Sequence, residues 1–351
     1  MIRIWWGLLA ILLGLAVLAG WLEAMGYDAP LALGALWTGA FGSWYNFTSA
    51  TLVRSVPLIL IGLGIATAFR GGAFNIGAEG QFYAGAIAAT WVGLHVTAGP
   101  GILALVLLLI TSAIAGAAWV AVPVWLKLRF GVIEVISTLL LNFVAEAMVS
   151  LLVQGPLQER SGIYPQSDLI LDTARLPLIG GRLHAGFLLA LAAVVVLWYL
   201  FARTMWGFRL RAVGLSPRAA EVSGSIDSSK MAATALLCSG ALAGLAGGVE
   251  VSGVSYALYQ NLSPGYGFTG IAVALLGGLH PVGVLISGIF IAALEAGAGA
   301  MQRDAGVPSV AVYVVEAIII VVAALATTPK GGLMTTQVIR RIRPRAARAR
   351  A

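Results

Sequence analysis

Apolar residues in this chain come in long unbroken runs rather than at the spacing of an amphipathic helix or in alternation. A run of about 20 apolar residues is the length of helix that crosses a hydrocarbon core. Such runs cover residues 4–22, 52–68, 77–96, 102–126, 132–153, 185–202, 232–251, 282–301 and 310–327, with a shorter one at 268–279. They predict an all-α integral membrane protein of about ten transmembrane helices. Strands of a membrane barrel alternate apolar and polar positions, and these runs do not. Residues 1–330 read as one transmembrane domain and residues 331–351 as a basic tail. The first run, with Arg3 ahead of it and small residues near its end, has the outline of a signal peptide. A chain that crosses repeatedly needs no removable signal, so an uncleaved helix is expected.

The polar segments between runs differ in kind. Residues 27–49 carry Trp37, Trp44, Tyr45 and Phe47, rings of the type that settle at headgroup level. Residues 154–183 hold Pro156, Pro165 and Pro177 and read as a long extracytoplasmic loop. Composition agrees with the pattern: 60% of residues are apolar and 10% charged, against about 25% charged in a soluble domain. The net charge of +7 could suggest nucleic acid, but its distribution points to a membrane. Arg3, Arg70, Lys127, Arg129, the five basic residues of 203–231 and the seven beyond Thr328 fall on one side. Arg54, Arg160, Arg175, Arg182 and Arg303 fall on the other. Loops rich in Lys and Arg stay in the cytoplasm, so both termini are placed there, and no nucleic-acid partner is expected.

One stretch breaks the pattern. Residues 69–82, FRGGAFNIGAEGQF, put four glycines and Arg70, Asn75, Glu79 and Gln81 between two apolar runs. Glycine and polar groups here leave backbone amides and carbonyls without helical partners, which lipid tolerates only where the backbone is buried in protein or lines a wet cavity. Broken helices of this kind hold substrate in many transporters. The other reading is a short cytoplasmic turn with Asn75 as a cap. A second interruption, GGLHPVG at 277–283, gives the chain a weak internal symmetry of two pseudo-repeats. Polar groups within the runs are the candidate path residues, because an ionisable group at membrane depth costs about 2.5–3.5 kcal/mol on insertion scales. They are Asn75, Glu79, Gln81, Asn142, Glu146, Glu250, Glu295 and Glu316. Bonds that tie helices together are the alternative role for each, and Glu134, beside Lys127 and Arg129, reads as a surface charge.

The connector 203–231 contains a helix start, Ser216 as N-cap followed by Pro217 in the first turn, and predicts a short helix over 217–223. Such a helix can dock in a groove of a soluble partner or simply lie as a solvated connector. No G-x-x-x-x-G-K-[ST] loop occurs, so energy from ATP would have to come from another polypeptide. His95, His184 and His280 lack the spacing of a metal site, Cys238 is the single cysteine, and no catalytic constellation is present. Neither a metal nor a cofactor is expected. The arginines of 340–350 suit anionic lipid headgroups.

GFRLRAVGLSPRAAEVSG, residues 207–224, resembles the coupling segment of permease subunits of ATP-binding-cassette importers, in the branched-chain amino acid, ribose and nucleoside permease family. FRGGAFNIGAEGQF is similar to the signature of its simple-sugar and nucleoside branch. TLLLN at 138–142 and GFTGIAVALLGG at 267–278 resemble further family segments in the expected order. The similarity spans residues 52–328, and the long chain resembles the larger of two paired paralogues. His280 departs from it, standing where a residue such as Asn is expected.

The resemblance implies the type II importer permease fold, with the translocation path between two permease subunits. The implied partners are a second permease (a heterodimer with a shorter paralogue), two cytoplasmic ATP-binding subunits and an extracytoplasmic substrate-binding protein. The implied place is the bacterial cytoplasmic (inner) membrane, and the implied role is a transport subunit rather than an enzyme. Nucleosides or related simple sugars are the expected cargo; branched-chain amino acids or ribose on the same machine are the alternative. An ion-coupled transporter using Glu79 or Glu146 is a rival of another class. ATPase coupling is expected at Arg211, Gly214, Pro217, Arg218 and Glu221. The path is expected at Phe74, Asn75, Glu79, Gln81, Asn142 and Phe268, with aromatic faces available to stack on a base.

Overall fold

The computed structural model describes residues 14–96, 101–222 and 226–308, with residues 310, 311, 313, 314 and 317. Most of the runs 310–327 and part of 4–22, together with Glu316, Ser223 and the basic tail, lie outside the described residues. Helices α1 (Gly14–Ala24) and α2 (Ala29–Phe41) come first. The single turn α3 (Trp44–Asn46) then passes through a π-helical turn, Phe47–Leu52, into α4 (Val53–Arg70). Next are α5 (Ala78–His95), α6 (Gly101–Phe130), α7 (Glu134–Val153) and α8 (Gly186–Arg203). Two short helices follow, α9 (Met205–Leu215) and α10 (Pro217–Val222). The series ends with α11 (Ser228–Glu250), α12 (Tyr266–Leu276) and α13 (Pro281–Ala305). Among the described residues, six helices are long and apolar enough to cross a membrane: α4 with its N-terminal extension, α6, α7, α8, α11 and α13.

Helices that are apolar all round must lie either in lipid or at the centre of a bundle. Helix α4 is central, with every residue from Ser55 to Ala68 buried. Helix α8 is peripheral. Its buried residues, Gly186, Ala190, Val194, Leu197 and Phe201, recur at helical period, while Leu188, Val195, Val196 and Tyr199 face outward. Helix α11 threads between α4, α5 and α6 because it presents Gly240, Gly244 and Gly248 at four-residue spacing. A β-carbon on Gly244 would sit 2.8 Å from the Gly116 Cα of α6, and one on Gly248 would sit 2.7 Å from Ser112 Cβ. Without a hydrophobic drive between helices in lipid, such close backbone approach is what holds them.

Two elements depart from the sequence expectation. Residues 27–49 contain a full helix, α2, which packs on α13; Trp37, Trp44 and Tyr45 are nevertheless exposed, as aromatic anchors would be. Its start signal was written in the chain, since Asp28 Oδ1 accepts from Leu31 N at 2.9 Å and a proline opens the first turn. Likewise the connector holds two helices. Thr204 caps α9 and Ser216 Oγ accepts from Ala219 N at the start of α10. The long loop 154–183 is also ordered. It is zipped to the chain after α11 by Ser167 N to Leu258 O, Ile170 N to Tyr256 O and Leu176 N to Ser252 O, each 2.8 Å, and closes with a small hairpin of β1 (Leu178–Gly180) and β2 (Leu183–His184).

Candidate functional site

The break after α4 is not an external turn. Asn75 Nδ2 donates to Ser239 Oγ of α11 at 2.8 Å. A β-carbon on Gly64 of α4 would lie 3.2 Å from Ser239 Cα. Gly64 is six residues above Arg70, about 9 Å along the axis at 1.5 Å per residue. The segment Gly71 to Gly77 therefore climbs back into the bundle before α5 begins. Asn75 does not cap α5, since the N-cap there is Gly77 without a side-chain bond.

Side chains replace the helical bonds the break removes. Asn75 and Gln81 exchange a reciprocal amide pair at 2.8 and 2.9 Å, and Asn75 Oδ1 also accepts from Gly77 N at 2.9 Å. Asn142 of α7 accepts from Gly80 N at 2.8 Å and donates to Ile76 O at 3.0 Å. All three amides are buried. Phe74 lies beside them with 52% of its surface exposed.

A second break meets the first. After its π-helical end, α11 gives way to a non-helical segment, Tyr256 to Gly265, that dips back toward α5: Tyr83 Oη accepts from Ser263 N at 3.3 Å. From that depth α12 runs for 11 residues, about 16 Å, half of a hydrocarbon core. Its N-terminal amide Gly267 N donates to the buried Glu79 carboxylate at 2.6 Å. A negative group at a helix N-terminus is favoured by the free amides and the dipole there. Only glycine permits this approach, because a β-carbon on residue 267 would strike the Glu79 backbone. Tyr266 meets Phe82 edge-on at 5.8 Å, and Phe268, 45% exposed, faces away from that contact.

Above the junction three polar cavities adjoin. One of about 360 Å³ holds Tyr83, Glu146, Ser150, Gln260 and Asn261. A second, about 380 Å³, shares Asn261 and adds Arg54, Arg182, Glu250, Tyr259 and Tyr266. A third, about 240 Å³, shares Arg54 and Tyr266 and adds Glu295 and Gln302. Arg54 stands within electrostatic reach of both Glu250 and Glu295, and its Nη1 donates to the Glu295 carbonyl at 3.4 Å. A cavity of about 840 Å³ is an apolar groove of α5, α6 and α7; it lies on the perimeter and offers little polar chemistry.

Asn75, Glu79, Gln81 and Asn142 thus come together at the two breaks, while Glu146, Glu250 and Glu295 open onto the cavities. Arg54, Tyr259 and Asn261 have no sequence signal as site residues beyond the turn-rich segment that carries two of them. Glu134 pairs with Lys127 at 2.7 Å. His95, His184 and His280 lie at α5, β2 and the α12–α13 link and do not meet. On α9 and α10, Arg211, Gly214, Pro217, Arg218 and Glu221 are exposed, as are Leu215 at 88% and Val222 at 87%.

Residues 47–324 match the family described as branched-chain amino acid transport system / permease component. The chain is 41% identical over 322 residues to the guanosine ABC transporter permease protein NupP of Bacillus subtilis, covering 89% of this chain and 90% of that one. It is 37% identical over 324 residues to the glucose ABC transporter permease protein TsgB13 of Haloferax volcanii, covering 89% and 84%. With the nucleoside ABC transporter permease protein NupB of Lactococcus lactis it shares 34% over 326 residues, covering 89% and 88%. The Bacillus and Lactococcus relatives each have, in the same bacterium, a second permease of the same description that this chain matches at 29% and 26% identity. No solved structure matches. With its bundle of membrane-length helices, this chain is a multi-pass membrane transport subunit and belongs to the family of branched-chain amino acid transport system permease components.

Proposed function

We propose that this chain is the permease subunit of an ATP-binding-cassette importer for nucleosides or related simple sugars. The observation that carries the cargo is the set of polar cavities around Arg54 and Tyr266. Two arginines, Arg54 and Arg182, stand with two carboxylates, Glu250 and Glu295, and the remaining polar side chains are phenols, amides and the Ser49 hydroxyl. Such a lining suits a solute without net charge that can both donate and accept hydrogen bonds, with aromatic faces beside it. Guanosine, nucleosides and glucose, the solutes in the relatives' names, have that chemistry. Branched-chain amino acids or ribose remain the alternative on the same machine.

The path runs from these cavities past the two breaks. Phe74 and Phe268 present faces to the solute, while Asn75, Glu79, Gln81 and Asn142 fix the backbone behind them. ATP is hydrolysed by two cytoplasmic partner subunits that dock on α9 and α10 at Arg211, Gly214, Pro217, Arg218 and Glu221, with Leu215 and Val222 as apolar knobs. A second permease, a shorter paralogue, completes the path, and an extracytoplasmic binding protein delivers the solute. The whole is a type II permease of about ten helices in two pseudo-repeats, within residues 1–330 and followed by the lipid-binding tail 331–351, with both termini in the cytoplasm of a bacterial inner membrane.

The test is uptake of labelled guanosine, uridine, glucose and leucine by cells with and without the gene. Loss of nucleoside or glucose uptake with leucine unaffected is expected. Loss of leucine uptake alone would reassign the cargo.

A further inference from the structure

Arg70 joins three parts of the molecule that are distant in sequence. Its Nε donates to the Leu279 carbonyl in the link between α12 and α13 at 2.7 Å. Its guanidinium lies 4.6 Å from the centre of the Phe201 ring on α8, a cation–π contact. Its backbone carbonyl packs against Gly214 at the end of α9, where a β-carbon would collide with it, and a β-carbon on Gly72 would lie 3.5 Å from Gly214 Cα. His280, next to the acceptor, is within electrostatic reach of the same guanidinium. Arg70 has no carboxylate partner within ion-pair distance among the described residues.

The link it holds is unusual in its own right. Gly278 and Leu279 both adopt left-handed backbone, with φ of 61° and 56°. Glycine does so freely, whereas leucine is strained there and persists only where the surroundings fix it. Leu279 N donates to Ala274 O at 2.9 Å, and the Arg70 side chain holds its carbonyl. Gly278 N to Leu275 O and His280 N to Gly277 O, at 2.9 and 3.1 Å, close the rest of the link. The Arg70 side chain is therefore its one fastening from outside α12 and α13 among the hydrogen bonds of the described residues. A strained link held this way is suited to act as a hinge. Beyond it α12 is a rigid lever whose far end is bonded to Glu79 beside the cavities.

We propose that Arg70 is the positioning residue that transmits movement of the connector α9–α10 to the α12–α13 hinge and so to the half-helix under the polar cavities. The inference rests on the reading that ATP-driven partners act on that connector. Displacing Gly214 shifts the end of α4 by direct backbone contact, and the Arg70 side chain carries the shift to Leu279. Lysine keeps the charge but loses the Nε–H and the planar face that lies over Phe201.

The test uses the assembled importer in proteoliposomes, with solute moved and ATP hydrolysed measured together for wild type, Arg70→Ala and Arg70→Lys. Solute moved per ATP is expected to fall about tenfold or more in Arg70→Ala, within the range of coupling between sites, while hydrolysis stays within about twofold; Arg70→Lys recovers part of the loss. An unchanged ratio in both variants overturns the relay. As a second readout, spin labels at Phe208→Cys and Thr269→Cys, in a Cys238→Ser background, report the α9–α12 distance. That distance is expected to change on ATP binding in wild type and to change by clearly less in Arg70→Lys. The same change in both overturns the proposal even where Arg70→Ala fails to assemble. A wild-type complex whose hydrolysis is not linked to transport defeats the parent reading, and the relay with it; a linked wild type with an equally linked Arg70→Lys defeats the relay alone.

Discussion

Asn142 is the side chain on which the first break rests. It serves Gly80 N and Ile76 O at once, two backbone groups that lipid and core cannot solvate. Each buried group left unpaired costs about 1–3 kcal/mol. Asn142→Ala is therefore expected to lower the thermal unfolding midpoint in detergent clearly, and Asn142→Asp by less, because the acceptor survives. Equal melting of Asn142→Ala and wild type would mean that the break is held elsewhere. Gly244 is the opposite case, a position defined by what is missing. Gly244→Val puts atoms into the α6 backbone, and overpacking costs about 1–3 kcal/mol or more; loss of the monodisperse peak in gel filtration is expected, with Cys238→Ser, on the exposed side of the same helix, unaffected. Both residues can be seen in the sequence, but their partners cannot. Asn142 bonds across 62 residues, and nothing local says which amide it will meet.

At the scale of elements, the half-helix α12 and its carboxylate form the unit to test. Glu79→Gln keeps an acceptor for Gly267 N but removes the charge from the helix N-terminus, a term of about 0.3–2 kcal/mol. Glu79→Ala removes both. Stability is expected to fall in the order wild type, Gln, Ala, and transport to be reduced in both variants; full transport by Glu79→Ala would remove Glu79 from the path. The loop 154–183 carries a pH dependence. Glu159 is held below the usual carboxylate range by the Gln166 amide at 2.7 Å, with the Ser161 hydroxyl and Tyr164 N also donating. A lowered carboxylate contributes order above its unfolded value, about 4.3, and loses it as pH falls through the folded value. Hydrogen exchange at Tyr164 and its neighbours should therefore quicken below that range, and Glu159→Gln should abolish the change. The long helices were legible because length and apolarity alone define a span. Helix α2 was not, because its aromatic flank resembled a headgroup segment and hid the Asp28 cap. The depth of the two breaks was not legible either, since it depends on how far each non-helical segment climbs back between neighbours.

For the molecule as a whole, the sequence pointed to the break that carries Asn75 and Glu79 but gave the cavities above it little weight. Glu250 and Glu295 stood among the candidate path residues with no partner named. Only the fold sets Arg54 between them, from a helix separated in sequence by most of the chain. The polar surface therefore extends from the loop 154–183 to the junction of α5 and α12, while α9 and α10 stand at the other end with Leu215 and Val222 uncovered. Polar cavities at one end and an exposed connector at the other are the arrangement that the proposed ATP-driven importer requires and an ion-coupled carrier does not. The most direct test is accumulation of labelled guanosine in proteoliposomes that contain this chain with its companion permease, ATP-binding subunits and binding protein. Accumulation that needs ATP and the binding protein, and survives collapse of proton and sodium gradients, is the predicted result. Accumulation without ATP that vanishes when those gradients are collapsed would contradict it and move the function to Glu79 and Glu146 as ion sites.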